Sequence, residues 1–140
     1  MALVTVTVNP VPVCTGNAVC SFVLYNSDTD MAIRALADGD TVSLSADCSN
    51  DPTKCNIEAV VASPEGATQS VKLNLNGGSV RTESGAPYML GGDNAAGANI
   101  LPLPAPGLAL GTSTVNAIPF SENSGGTAGT AGSVTFIVVP

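Results

Sequence analysis

The 140-residue chain contains no histidine. Ser-His-Asp triads, Cys-His dyads and His-liganded metal sites are therefore excluded. Its reactive side chains begin with four cysteines, Cys14, Cys20, Cys48 and Cys55, which fall into two close pairs. An even count in an acidic, Lys-poor, Thr-rich chain reads as two local disulfides, Cys14–Cys20 and Cys48–Cys55, formed in an oxidising compartment. Spacing alone leaves the connectivity open, since four cysteines allow three pairings. The competing assignment is a zinc site built from all four thiolates. It is disfavoured because the C-x5-C-x27-C-x6-C spacing lacks the short knuckles such sites use.

Pairing the thiols removes the last strong nucleophile. No G-x-S-x-G occurs, and the Gly-rich stretch from Gly125 to Gly132 has no lysine after it to cradle a phosphate. Two carboxylates, for instance Asp28 with Asp38, satisfy the composition of a glycoside-hydrolysing pair. Asp at a strand end ordinarily makes an Asx turn, however, and the chain reads as non-enzymatic.

Two binding chemistries remain. Asp28, Asp30, Asp38 and Asp40 lie on two neighbouring turns, and hard oxygen donors of this kind suit Ca²⁺. They follow no EF-hand register, and structural turns are the plainer reading. Sugar faces stack on exposed aromatic rings, but there is no Trp and only five aromatic residues. Phe22, Phe120 and Phe136 read as core, and Tyr88 as a buried ring with a bonded hydroxyl, like a tyrosine corner. Tyr25 is left as the candidate platform, with Arg34 and Arg81 as candidate polar contacts for a glycan.

The elements that must position these groups are strands. Fifteen glycines, ten prolines and many Thr, Ser, Asn and Val favour strands and turns over helices. Only 11% of residues are charged, against about 25% in typical soluble chains. The net charge of −7 and the absence of a basic patch argue against nucleic acid and anionic lipid. No apolar run is long enough to span a membrane as a helix. There is no N-x-[ST] sequon. No basic, apolar leader opens the chain, so a mature or excised piece of a longer secreted protein is expected.

Alternation predicts a half-buried strand over 2–8, with Ala2, Val4, Val6 and Val8 opposed to Leu3, Thr5 and Thr7. Pro10 and Pro12 interrupt pairing after it. Further strands are expected over 20–25, over 41–46 (Val42, Leu44 and Ala46 on one face), and over 56–62 (Ile57, Ala59 and Val61 inward). Residues 69–76 follow with Val71, Leu73 and Leu75 inward. Asn76-Gly77-Gly78 is a hairpin turn, and short strands over 80–83 and 87–90 come next. Residues 91–111 read as a long Pro-rich loop, 113–119 as a strand, 121–132 as a flexible loop, and 134–139 as a central or covered strand. The total, about seven to nine short strands, fits a single antiparallel β-sandwich over 1–140.

The second half resembles a bacterial-type immunoglobulin-like module. The segments that carry the likeness are Ser70-Val71-Lys72-Leu73-Asn74-Leu75-Asn76-Gly77, Arg81-Thr82-Glu83-Ser84-Gly85-Ala86-Pro87-Tyr88, Gly111-Thr112-Ser113-Thr114-Val115-Asn116-Ala117 and Ser133-Val134-Thr135-Phe136-Ile137-Val138. The stretch from Phe22 to Leu44 is similar to a variant found in large secreted multidomain proteins, some of which also carry glycan-active domains. The two cysteine loops and the long 91–107 loop depart from the common pattern. The resemblance implies an all-β immunoglobulin-like sandwich acting as an extracellular structural or adhesive module, with neighbouring domains or copies of itself as partners. A carbohydrate-binding module, Ca²⁺-dependent through the Asp turns, is the alternative. The strand over 2–8 is expected to pair within its own domain; exchange of residues 1–12 with a neighbouring copy is the second expectation.

Overall fold

The computed structural model describes residues 14–62, 67–94 and 98–140. The expected strand over 2–8 lies outside these residues. Twelve strand segments and one short helix run in the order β1 (Val19–Asn26), β2 (Met31–Leu36), β3 (Thr41–Ser43), α1 (Leu44–Asp47), β4 (Cys55–Val61), β5 (Ser70–Leu75), β6 (Gly78–Glu83), β7 (Tyr88–Met89), β8 (Asp93–Asn94), β9 (Asn99–Ile100), β10 (Gly111–Glu122), β11 (Gly125–Ala128) and β12 (Gly132–Val139). The count exceeds the expected nine because two-residue segments, β7, β8 and β9, count as strands.

Two sheets form an immunoglobulin-like β-sandwich. One has the order β2-β1-β4-β7; the other has the order β3-β12-β10-β5-β6, with β11 also on β10. Period-2 alternation turns one face of each sheet inward. Phe22, Leu24, Ile57 and Ala59 from the first sheet meet Val71, Leu73, Val115, Phe136 and Val138 from the second in one buried cluster. Pairing between the named strands is antiparallel except where β3 lies parallel to β12, and an isolated Ala18–Thr130 bridge is parallel too. Among the described residues, β1 and β2 lie in the first sheet and the chain crosses to the second with β3.

The inward sets of β4 and β5 are as expected, except that Leu75 is only partly buried. The Asn76-Gly77 turn links β5 to β6 with φ of 50° and 83°, the left-handed pair that a two-residue hairpin needs. β12 is central in its sheet, and Tyr88 is buried with its hydroxyl donating to the Thr68 carbonyl at 3.1 Å.

Three expectations are corrected. The alternation over 41–46 does not continue as a strand. After Ser43 the chain turns into α1, whose first turn is closed by the Ser43 hydroxyl accepting from Ala46 N–H at 3.2 Å and by the Asp47 carboxylate accepting from Ser43 N–H at 3.0 Å. Such reciprocal capping satisfies amides that a helix start leaves open. Phe120 falls on the outward phase of β10 and is only half-buried, because Val115, Ala117 and Pro119 take the inward positions. Residues 121–132 are not a free loop. β11 pairs with β10, and Gly129 and Thr130 donate to the Pro119 and Asn17 carbonyls at 2.8 and 2.9 Å. Gly129 permits this seating, since a Cβ there would overlap the Asn17 carbonyl oxygen.

The 91–108 segment is long but anchored. Ile100, Leu103 and Leu108 are buried, and the fully buried Asn56 side chain holds the segment to β4. Its amide donates to the Gly92 and Leu101 carbonyls at 3.1 and 2.8 Å, and its oxygen accepts from Gly91 N–H at 2.7 Å.

Candidate functional site

The cysteines pair as Cys14–Cys20 and Cys48–Cys55, with Cα separations of 5.6 and 4.9 Å. Cys48 and Cys55 are fully buried and tie the end of α1 to the start of β4. Cys20 is exposed near the start of β1.

The four aspartates occupy opposite ends of β2. Asp28 and Asp30 precede it, and Asp38 and Asp40 follow it, so the two pairs are separated by the strand's length, roughly 20 Å. Each aspartate already has a partner within the chain. Asp28 pairs with Lys54 at 3.0 Å, and Asp30 accepts from Ile100 N–H at 2.7 Å. Asp38 accepts from Thr135 N–H and Asp40 from Ala37 N–H, both at 2.8 Å. Among the described residues, no three His, Cys, Asp or Glu side chains gather as a metal site.

Tyr25 lies on the outward face of the first sheet, because it is paired with Asn56 and out of phase with buried Leu24. Glu58 is two residues from Asn56 and shares that face. The Tyr25 hydroxyl donates to Glu58 Oε1 at 3.0 Å. Burial, then the Glu58 charge, raises the phenol above its ordinary pKa and keeps it a donor. Arg34 reaches from β2 to α1. Its Nη1 and Nη2 donate to Asp47 Oδ1 and Oδ2 at 2.9 and 3.0 Å, and Nη2 also donates to the Thr41 carbonyl at 2.7 Å. This fork holds Asp47 below the ordinary carboxylate range; burial opposes it and the Ser43 amide adds to it. Arg81 pairs with Glu83 on the same face of β6. Burial pushes Glu83 above the ordinary range; Arg81 opposes that shift and Asp93 adds to it.

The structure therefore does not bring Tyr25, Arg34 and Arg81 together. Tyr25 is on β1, Arg34 on the outer strand of the first sheet, and Arg81 on the outer strand of the second. Their partners Glu58, Asp47 and Glu83 were not singled out from sequence. For Glu83 a signal existed, because residues two apart on a strand share a face. Glu58 and Asp47 need the strand register to be found.

Two recesses accompany these pairs. A cleft of about 190 Å³ lies between the β5–β6 hairpin and residues 103–107, lined by Leu75, Val80, Leu103, Pro104 and Pro106. A groove between β1 and β12 is lined by Val19, Phe22, Leu36 and Val134, with Asp38 at its rim. Neither brings a nucleophile against a base, and the first contains no titratable side chain. Among the described residues no helix is long and apolar enough to cross a membrane.

No family model matches the sequence, and no curated protein does. Among solved structures, the chain is similar to a fibronectin(III)-like module of Clostridium thermocellum CbhA. The identity is 16% and the TM-score 0.45, over 73% of this chain and 89% of that one. The fold is defined by the strand order and register above: an immunoglobulin-like β-sandwich with two disulfides.

Proposed function

We propose that this chain is a non-catalytic extracellular building block, a structural or adhesive module joined to neighbouring domains or to copies of itself. The observation that carries this reading is where the polar side chains go. Tyr25, Arg34, Lys54 and Arg81 each bind a carboxylate of the same chain, an arrangement that braces strands and turns. Two disulfides suit an oxidising, protease-exposed setting. A glycan array on the purified chain, run with Ca²⁺ and again with chelator, tests the proposal. The expected result is no binding in either buffer. Reproducible binding to one sugar class would make this a carbohydrate-binding module instead, and loss on chelation would return the Asp turns to consideration.

A further inference from the structure

We propose that the Cys14–Cys20 disulfide is a thiol–disulfide exchange site for a dithiol reductant, and that opening it loosens a seam between the two sheets. The inference goes beyond the building-block reading and does not depend on it.

The two disulfides differ in access. Cys48 and Cys55 are both fully buried, whereas Cys20 is exposed and Cys14 is partly so. Exchange begins when a thiolate reaches a disulfide sulfur, so access decides which bond reacts. Attack on Cys48–Cys55 must wait for the fold to open, while Cys20 is met in the folded chain. Cys20 also lines the groove between β1 and β12, whose volume of about 280 Å³ accommodates a small thiol.

One dithiol completes the reaction. Its thiolate attacks the Cys20 sulfur, the sulfur–sulfur bond breaks, and Cys14 leaves as a thiolate that takes a proton from water. The second thiol of the reductant then attacks the reductant's own sulfur in the mixed disulfide and releases Cys20. The dithiol loses two electrons and closes to a disulfide, and the chain gains two thiols.

The ring closed by this bond carries the residues that join the sheets at one end. The Asn17 carbonyl accepts from Thr130 N–H at 2.9 Å, the Asn17 amide donates to the Thr127 carbonyl at 3.2 Å, and its side-chain oxygen accepts from the Thr68 hydroxyl at 2.9 Å. Val19 N–H donates to the Thr130 carbonyl, and the Ala18 carbonyl accepts from Ala62 N–H, both at 3.0 Å. Ala62 follows β4 of the first sheet; Thr68 precedes β5, and residues 127–130 lead from β11 to β12, in the second. The Asn17–Thr127 bond is exposed. Bonds at the surface are the first to open, and the short ring limits the freedom that residues 15–19 regain when it is cut.

The test treats the folded full chain with dithiothreitol, quenches with an alkylating reagent and maps the labelled cysteines by peptide mass. Cys14 and Cys20 should be labelled at least about a hundredfold faster than Cys48 and Cys55. Amide exchange on the singly opened chain should then rise roughly tenfold or more at Val19 and Thr130, and stay unchanged where β5 pairs with β10. Cys14→Ser with Cys20→Ser should show the same rise without reductant, and the reductant arm stands even where that variant folds poorly. Both pairs opening together, or Cys48–Cys55 opening first, overturns the exchange site. Exchange at Val19 and Thr130 that ignores reduction overturns the seam. Neither result touches the building-block reading, which glycan binding tests.

Discussion

The outer strands β2 and β6 each carry an arginine opposite a buried leucine, Leu24 and Leu73, and each pairs it with a carboxylate, but the two carboxylates sit in different places. Arg34 reaches from β2 to Asp47 on α1. Arg81 stays on β6 beside Glu83, and the pair sits on the phase that Val71 and Leu73 use for the core. The carboxyls record the difference. Asp47 receives a two-pronged guanidinium and a backbone amide and is held acidic. Glu83 is more deeply buried and has Asp93 near it, so its charged form is disfavoured. Arg34 therefore ties an outer strand to a helix, whereas Arg81 ties two positions of one strand.

The largest expected effect comes from breaking the brace beneath β2. Replacing Cys48 and Cys55 together by Ser frees α1, and with it Asp47. Urea denaturation should show a loss of about 3 kcal/mol, against about 2 kcal/mol for the same exchange at the outer Cys14–Cys20 ring. Equal losses would mean that the buried ring contributes no more than loop closure. Next in size is Asp47→Ala. It removes the acceptor of Ser43 N–H and the partner of Arg34 together, and about 1–2 kcal/mol is expected by the same assay. The partly exposed ion pair alone accounts for the smaller share of this.

Thermal midpoints measured across pH sharpen the contrast. Asp47 has a depressed folded-state pKa. Its contribution is present above the unfolded value, about pH 4, and is lost as pH falls through the lower folded value. Asp47→Asn should flatten that acid limb. Glu83 has a raised folded-state pKa. Its contribution is complete below about pH 4 and is lost as pH rises through the higher folded value. Glu83→Gln should remove that decline and change stability at neutral pH by less than about 1 kcal/mol. Matching slopes for the two variants would break the comparison.

Most of the sandwich was legible because strands buried on one face repeat every two residues. Ile57, Ala59 and Val61, and then Val71 and Leu73, show this alternation, and Asn76-Gly77 names its own turn. Leu44 and Ala46 show it too, but there it misled. What ends the strand at Ser43 is a pair of capping bonds and a disulfide that depend on groups only folding brings near. β11 carries little side-chain pattern, since Gly125, Gly126, Thr127 and Ala128 are held by backbone pairing and by the seat of Gly129 on Asn17. The candidate ligand residues were legible as polar groups on strands, but their partners were not. Arg34 and Asp47 are 13 residues apart and meet only when α1 forms beside β2.

The central claim, that the polar side chains of this sandwich serve its own strands and turns, is tested most directly by the glycan array run with Ca²⁺ and again with chelator. The account predicts no binding in either buffer. Reproducible binding to one sugar class would contradict it.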